Sequence, residues 1–205
     1  MADFVVVPNR TALINVDLQN CFVKSAPDGL TVLARINQVA SSCRGAGILV
    51  IHTAHVLRPD GSNMGVLREM VPKVRAGMLN KGAESAALHT QLNIDAADLL
   101  IEKPRFGAFH GTDLELILRS RGIDTVIISG ISTPVCCDTT AREANARDFR
   151  VLFLSNATAS GGSDAAEAAR FHNATLENLD GLFAQVLSTD ELLTKIDQAG
   201  PLVAS

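Results

Sequence analysis

Residues 124–144 read DTVIISGISTPVCCDTTAREA, and this stretch predicts the class of fold. It opens with a run of β-branched and aliphatic residues without polar alternation, which is typical of a strand covered on both faces. It continues through Gly130 into a helical pattern over 134–147, with Pro134 near the first turn, where the missing N–H of proline is tolerated. A buried strand that leads directly into a helix is the repeating unit of a parallel α/β sheet.

The same alternation of short apolar runs and longer helical patterns extends along the whole chain. Five further strands are predicted at 11–17, 47–54, 97–103, 149–155 and, more weakly, 181–187. Further helices are predicted at 28–44, 112–121 and 163–178, with Thr112 and Ser163 as N-caps. We therefore expect one domain over 1–205, a three-layer α/β/α fold with a six-stranded, mostly parallel, doubly wound sheet.

Composition excludes several classes of partner. The chain has 205 residues, of which 47% are apolar, and its net charge of −4 comes from interspersed signs. No long basic face is available for a nucleic acid, and no run approaches the roughly 20 apolar residues of a membrane span. The start of the sequence lacks the pattern of a signal peptide, and the four cysteines form no CxxC pair. We expect a cytoplasmic protein that acts on a small molecule.

Three reactive side chains follow three different predicted strands. Asp17 ends the first strand, Lys103 ends the third, and Cys136 lies where the fourth strand turns into a helix. Ligands of open α/β sheets bind outside the carboxyl ends of the strands. Each residue alone also has an ordinary interpretation, as a turn residue, a solvated lysine or a small core residue. Together they predict a site in which a carboxylate takes the proton of a thiol that the helix N-terminus helps to ionise.

Three segments carry a resemblance to a known family. DLQNCF (17–22), KPRFGAF (103–109) and GISTPVCCDTTAREA (130–144) resemble the signature segments of the isochorismatase-like hydrolases, in the same order. In the third signature the nucleophile lies six residues after the glycine, which corresponds to Cys136 when counted from Gly130. The residues of these segments are most similar to those of the ureidoacrylate and N-carbamoyl amidohydrolases. The family's six-stranded fold agrees with the one predicted from the strand pattern.

The resemblance implies a mechanism for these residues. Cys136 would attack a carbonyl carbon and form a thioester, Asp17 would carry the proton, and Lys103 would hold the thiolate and the carboxylate in place. Backbone N–H groups of Ser132 and Cys136 would form the oxyanion hole, next to a cis peptide bond between Ile131 and Ser132. Cys137 is the neighbouring rival, but one helical step turns its side chain by about 100°, so the two thiols cannot face the same pocket.

The implied activity is hydrolysis of the C–N bond of a small amide or N-carbamoyl (ureido) compound, with release of ammonia and without a cofactor. Two alternatives stay open at this point. One is isochorismatase-type hydrolysis of a vinyl ether, in which the cysteine is dispensable. The other is a non-catalytic family member that serves as a binding or assembly subunit.

Four side chains near the motifs are predicted to contact substrate: Phe22, Arg105, Phe106 and Phe109. The aromatic rings could line a small pocket or simply pack in the core. The Arg105 guanidinium could bind a substrate carboxylate through paired hydrogen bonds, or it could stabilise its own loop.

Two departures from related enzymes bear on metal binding and substrate. Nicotinamidases of this superfamily bind a metal through an Asp and two His in a D-x-H pattern after the second strand. Here that region reads IHTAHVLRPDG (51–61), in which His52 and His55 lack the Asp. We therefore expect no metal and a structural or solvent-facing role for both histidines. Gly107 and Pro134 also stand where related amidases commonly have polar residues.

Two segments are candidates for contacts between subunits. Residues 56–82 form a long stretch rich in Gly, Pro and Arg, which predicts a lid, an interface or a surface excursion with a short helix. The tail 188–205 has a short amphipathic helical pattern that could pack on the sheet or lie at an interface. Because family members are commonly oligomeric, we expect a homo-oligomer, either a dimer or a tetramer.

Overall fold

The computed structural model describes residues 3–199, and a single parallel sheet organises them. Its six strands lie in the order β3-β2-β1-β4-β5-β6, and every neighbouring pair is parallel. The strands are β1 (Thr11–Val16), β2 (Leu49–His55), β3 (Leu99–Lys103), β4 (Thr125–Ile131), β5 (Arg150–Ala159) and β6 (Gln185–Leu187). The predicted six-stranded, doubly wound α/β fold is confirmed, and the sheet is wholly parallel.

Helices cover both faces of the sheet. They are α1 (Asn20–Ser25), α2 (Gly29–Gly45), α3 (Leu67–Met70), α4 (Pro72–Arg75), α5 (Leu114–Ser120), α6 (Asp138–Asn145), α7 (Ala165–Leu179) and α8 (Thr189–Ala199). The central strands β1 and β4 are buried along their whole length, as their unbroken apolar runs predict. The strand order reverses between β1 and β4, so the carboxyl ends of these two strands open the crevice in which ligands of such sheets bind.

The two faces of the sheet carry separate apolar layers. On one face, Leu33 and Ile36 of α2 share a cluster with Leu192 and Ile196 of α8. On the other face, α5 and α6 contribute their buried apolar residues to a second cluster. The helix predicted in the tail therefore packs on the sheet, and its use at an interface stays a prediction. Residues 200–205 of that predicted segment lie outside the described residues. No helix between 3 and 199 combines the length and apolar character of a membrane-spanning segment.

Both predicted N-caps are wrong by one residue. Helix α5 begins at Leu114 after Asp113, and Thr112 Oγ1 only accepts a long bond of 3.3 Å from the Leu114 N–H. Helix α7 is capped by the Asp164 carboxylate, which accepts from the backbone N–H of Glu167 at 2.9 Å. Since Ser, Thr and Asp all cap helices well, the backbone path into each helix decided between neighbouring candidates.

The long stretch 56–82 has structure of its own. It contains the two short helices α3 and α4 and an apolar cluster of Leu57, Met64, Leu67, Val74 and Leu79. The interpretation of 56–82 as an excursion that holds short helical turns is confirmed. Its use as a lid or as an interface stays a prediction.

Candidate active site

Asp17 lies at the carboxyl end of β1, with its side chain held by two neighbouring strands. Its backbone has a positive φ of 53°, an uncommon conformation for a residue other than glycine, and one that ends the strand sharply. On β2, the Thr53 hydroxyl donates to Asp17 Oδ1 at 2.7 Å. From β3, Lys103 Nζ approaches Asp17 Oδ2 to 2.7 Å. The carboxylate is fully buried and is therefore fixed by one hydroxyl and one ammonium group.

Lys103 reaches Asp17 from the far side of β2, because β2 lies between β1 and β3 in the sheet. Its Nζ also donates to the carbonyl oxygens of Arg105 at 2.9 Å and Phe106 at 2.7 Å. Burial disfavours the ammonium form, but Asp17 and then Cys136 more than offset this and raise the pKa of Lys103. The ammonium thus has two carbonyl acceptors and the Asp17 carboxylate as its counter-ion, and it keeps its charge at neutral pH.

Cys136 lies in a π-helical turn, Thr133–Cys137, that directly follows β4. The cis peptide bond expected between Ile131 and Ser132 is present. Just before it, Gly130 has a φ of 126°, and a Cβ there would lie 2.1 Å from the carbonyl oxygen of Val16. Only glycine can occupy that position without moving the backbone of β1. The close contact between β1 and β4 thereby brings the turn with Cys136 next to Asp17.

Cys136 is 2% exposed, and its thiol is neutral at rest because its pKa is raised. Burial, followed by the Asp17 carboxylate, raises the pKa of the thiol, and Lys103 and the Ser132 backbone N–H oppose this rise. A carboxylate therefore stands beside a protonated thiol, which is the arrangement needed for proton transfer from sulfur to oxygen. The thiol of Cys137 is equally buried but faces the Ser129 carbonyl, 3.9 Å away, so the two cysteines point to different surroundings.

His55 belongs to the same cluster, and the sequence interpretation missed it. One ring nitrogen of His55, one carboxylate oxygen of Asp17 and the Cys136 sulfur all lie within 4.8 Å of one another. His55 is fully buried, and its ring meets the Phe106 ring edge-on with 5.7 Å between centroids. Burial, followed by the Lys103 charge, lowers the pKa of His55 to about 4, so the imidazole is neutral at pH 7. A solvent-facing role for His55 is wrong.

His52 behaves differently, although it lies on the same strand. Its Nδ1 is 3.4 Å from the Asn15 amide nitrogen, and its Nε2 is 3.0 Å from Asp98 Oδ2. Arg44 completes this buried group with an ion pair to Asp98 at 2.6 Å. For His52 the structural role is confirmed. His52 thus belongs to a separate group from His55, whose ring nitrogen shares a common point with an oxygen of Asp17 and the sulfur of Cys136.

The predicted substrate contacts occupy several environments. Phe22 is half-buried between the apolar layer under α2 and the cluster of the 56–82 stretch. Phe109 is 5% exposed and packs against the Phe149 ring, 5.8 Å between centroids. Phe106 contacts His55, as described above.

The Arg105 guanidinium donates to the carbonyl oxygens of Asn63 at 2.9 Å and Pro104 at 2.6 Å, which ties the loop after β3 to the 56–82 stretch. Substrate binding by these four residues stays a prediction.

Gly107 fits tightly against α6. A Cβ on this residue would lie 2.2 Å from a carboxylate oxygen of Glu143. The same carboxylate accepts from the Phe109 backbone N–H at 2.9 Å. The glycine therefore makes room for a side chain that holds the loop after β3.

A cavity of about 650 Å³ opens beside the site. It is lined by residues 56–60 and 102–104 together with Asn63 and Lys81. Lys103 belongs to both the lining of this cavity and the buried cluster, whereas Asp17 and Cys136 are not among the lining residues. The 56–82 stretch thus forms one wall of the space next to the cluster.

Comparison with known proteins agrees with this geometry. An isochorismatase domain model matches residues 11–191. The ureidoacrylate amidohydrolase of Methylobacterium radiotolerans is 30% identical over an alignment 204 positions long. The alignment covers 87% of this chain and 76% of that protein. The enzyme of the same name from Pseudomonas syringae pv. syringae is 28% identical, with 94% of this chain and 86% of that protein covered.

Solved structures of isochorismatase family proteins and cysteine hydrolases also superpose on this chain. A cysteine hydrolase from Pseudomonas syringae pv. phaseolicola superposes with a TM-score of 0.90 at 30% identity, over 96% of this chain and 97% of that one. An isochorismatase family protein from Desulfovibrio vulgaris superposes with a TM-score of 0.78 at 26% identity, over 90% and 98%. Because the domain model spans most of the described residues and the three signature segments meet at one site, the chain belongs to the isochorismatase-like hydrolase family.

Proposed function

We propose that this protein is a cysteine hydrolase that cleaves the C–N bond of a small amide or N-carbamoyl compound through a thioester. The observation that carries the proposal is the buried convergence of the Asp17 carboxylate, the Lys103 ammonium and the Cys136 thiol at three strand ends. A nucleophile, a base beside it and a group that orients the base are the parts required for nucleophilic catalysis.

In the first half-reaction the thiol is activated by the carboxylate. Asp17 takes the proton from Cys136 as the sulfur attacks the carbonyl carbon, and the carbonyl oxygen becomes negatively charged. Backbone N–H groups of Ser132 and Cys136 are the proposed donors to this oxygen. Asp17 then returns the proton to the leaving nitrogen, the C–N bond breaks, and the acyl group remains on sulfur as a thioester.

In the second half-reaction water replaces the amine. Asp17 takes a proton from water as its oxygen attacks the thioester carbon, and the C–S bond breaks with return of that proton to Cys136. An amide thus gives a carboxylic acid and ammonia. An N-carbamoyl compound loses its terminal –NH₂ as ammonia and gives an N-substituted carbamate, which decomposes to an amine and carbon dioxide. Lys103 keeps its charge throughout and holds the Asp17 carboxylate in position for each proton transfer.

The choice of amides as substrates is supported by similarity. Relatives at about 30% identity are named ureidoacrylate amidohydrolases, and they align over most of this chain. The buried site has one negative and one positive side chain at its centre, Asp17 and Lys103, and so leaves no net charge for a substrate to neutralise. A small, polar, uncharged scissile group fits these surroundings.

Ammonia release from a panel of ureido acids, maleamate, nicotinamide and small aliphatic amides tests the proposal. We expect wild type to release ammonia from at least one compound, and Cys136→Ala to lose at least about 1000-fold of that rate. Cys137→Ala is the matched control and should keep most of the activity.

Absence of ammonia from every compound would refute the proposal, and isochorismate would then be assayed. Hydrolysis of isochorismate that survives Cys136→Ala would favour the vinyl-ether alternative. No turnover of either class would favour a binding or assembly subunit. The expected homo-oligomer is tested separately, by light scattering of the purified protein.

A further inference from the structure

His55 is a fully buried histidine beside Asp17 and Cys136. Its side chain lies at the end of β2, between the strand ends that carry Asp17 and Lys103. Neither Nδ1 nor Nε2 forms a hydrogen bond of acceptable geometry with any residue from 3 to 199. The Pro104 carbonyl influences the ring without completing such a bond. One ring nitrogen instead faces the point where the Asp17 carboxylate and the Cys136 sulfur meet.

The contrast with His52 shows that this arrangement is not a property of the strand. His52 lies three residues earlier on β2, is equally buried, and has both ring nitrogens within reach of partners on Asn15 and Asp98. Buried polar atoms in folded proteins are nearly always paired, because an unpaired one loses its hydration without compensation. We therefore infer that the unpaired imidazole beside the reactive thiol forms its hydrogen bond with a group of the bound substrate.

The chemistry of the cluster identifies the group that His55 could bind. At neutral pH the imidazole is uncharged and offers one acceptor nitrogen. The nitrogen of a planar amide is a donor only, because its lone pair is delocalised into the carbonyl group. A terminal –CO–NH₂ group therefore needs two acceptors. Lys103 is an ammonium and can only donate, so Asp17 and His55 are the acceptors that the side chains at this point provide.

We propose that His55 accepts a hydrogen bond from the –NH₂ of a terminal carboxamide or carbamoyl group held at Cys136, and so selects primary amides over esters. The inference rests on the proposed C–N hydrolase function and names its substrate class. With one N–H bound to Asp17 and the other to His55, the nitrogen is held next to the carboxylate that must protonate it. An ester or an N,N-dialkyl amide lacks these N–H groups and gains nothing from His55.

Comparison of matched substrates tests the role of His55. The values of kcat/KM are measured for the primary amide that wild type cleaves fastest and for its methyl ester, with wild type, His55→Leu, His55→Gln and His52→Gln. We expect His55→Leu to lower kcat/KM for the amide about 10- to 100-fold and for the ester less than about threefold. His55→Gln retains an acceptor and should recover part of the loss. His52→Gln is the matched control and should keep the amide-to-ester ratio of wild type.

A structural role for His55 would give a different pattern. If His55 only supported the fold, His55→Leu would lower the Tm and reduce both activities equally, and this result would overturn the assignment. Because neither ring nitrogen is paired, we expect the Tm of His55→Leu to equal or exceed that of wild type.

A second measurement separates this inference from the proposed function. If wild type cleaves no amide, the proposed function fails, and alkylation of Cys136 still probes His55. Iodoacetamide and methyl iodoacetate both form a C–S bond with loss of iodide, and they differ only in NH₂ against OCH₃. Peptide mapping by mass spectrometry gives the rate at Cys136. We expect His55→Leu to slow only the reaction with iodoacetamide, and equal slowing of both reagents would overturn the assignment.

Discussion

Lys103 Nζ lies 2.7 Å from Asp17 Oδ2, and neither side chain has surface exposed to solvent. Two further carbonyl acceptors, on Arg105 and Phe106, complete the surroundings of the ammonium. An enclosed ion pair of this kind fixes the carboxylate beside the ammonium, at the cost of removing two charges from water. Removal of one partner is expected to be far more damaging than removal of both.

Substitution of Asp17 tests this relationship. Asp17→Asn leaves the buried Lys103 ammonium without its counter-ion, so we expect a loss of about 3–5 kcal/mol in the free energy of unfolding. The double variant Asp17→Asn/Lys103→Met should recover most of this stability but none of the activity. Urea unfolding and ammonia release are the measurements.

Glu102→Gln removes the exposed pair with Lys81 and is the control, with an expected cost below about 1 kcal/mol. Equal costs for Asp17→Asn and Glu102→Gln would contradict the prediction.

The buried histidines predict how stability depends on pH. The pKa of His55 is lowered from its ordinary value of 6.5 to about 4, mainly by burial, so the unfolded chain binds a proton between these values and the folded chain does not. The free energy of unfolding should therefore fall as pH is lowered from about 6.5 towards 4, by at most about 1.4 kcal/mol per pH unit for one group. Burial lowers the pKa of His52 and His172 as well, with the same sign.

Urea unfolding at pH 7, 6 and 5 measures this dependence. His55→Leu removes one of the three groups and should give a shallower slope than wild type. Identical slopes for the two proteins would show that His55 does not take up a proton on unfolding in this range.

Gly107 and Glu143 form a coupled pair across the loop and α6. Gly107→Ser introduces a Cβ where the Glu143 carboxylate lies, so this carboxylate must move and release the Phe109 N–H. We expect a loss of about 1 kcal/mol in the free energy of unfolding. In a Glu143→Ala background the space is free, and the same substitution should cost much less. Thermal unfolding of the four proteins gives the coupling, and an equal cost in both backgrounds would argue against it.

The proposed mechanism predicts insensitivity to chelators. Asp17 activates the Cys136 thiol directly, so ammonia release should be unchanged after dialysis against EDTA. Loss of activity that added Zn²⁺ restores would show instead that a metal takes part. The oxygen, nitrogen and sulfur atoms of Asp17, His55 and Cys136 would then be its first candidate ligands.

A strand boundary explains why the sequence interpretation misses the position of His55. The apolar run of the second strand predicts an end at residue 54, whereas β2 continues through His55. That one residue places His55 at the carboxyl end of β2, in line with Asp17 and Lys103 on the neighbouring strands. The same rule that selected Asp17 and Lys103 from the sequence would have selected His55 with the correct boundary. Strand ends depend on the pairing of neighbouring strands, which a single run of residues does not encode.

Arg105 illustrates a choice that sequence patterns leave open. A guanidinium next to a reactive lysine suits either a substrate carboxylate or a backbone carbonyl. In the folded chain it meets the carbonyl oxygen of Asn63, a residue 42 positions earlier. Contacts at that separation depend on how the 56–82 stretch folds over the sheet.

The sequence by itself determined the α/β class and the three reactive residues, because apolar runs predict buried parallel strands and such strands present their carboxyl ends at one edge. The resemblance of its three signature segments indicated the family. Only the tertiary structure decided which of these groups touch. The strand order β3-β2-β1-β4 sends Lys103 across β2 to Asp17, and the tight approach of Gly130 to Val16 brings Cys136 to the same point. The same strand order leaves the unpaired ring of His55 among them. Distances of this kind arise from packing between segments that are far apart in the sequence, so no local pattern of residues predicts them.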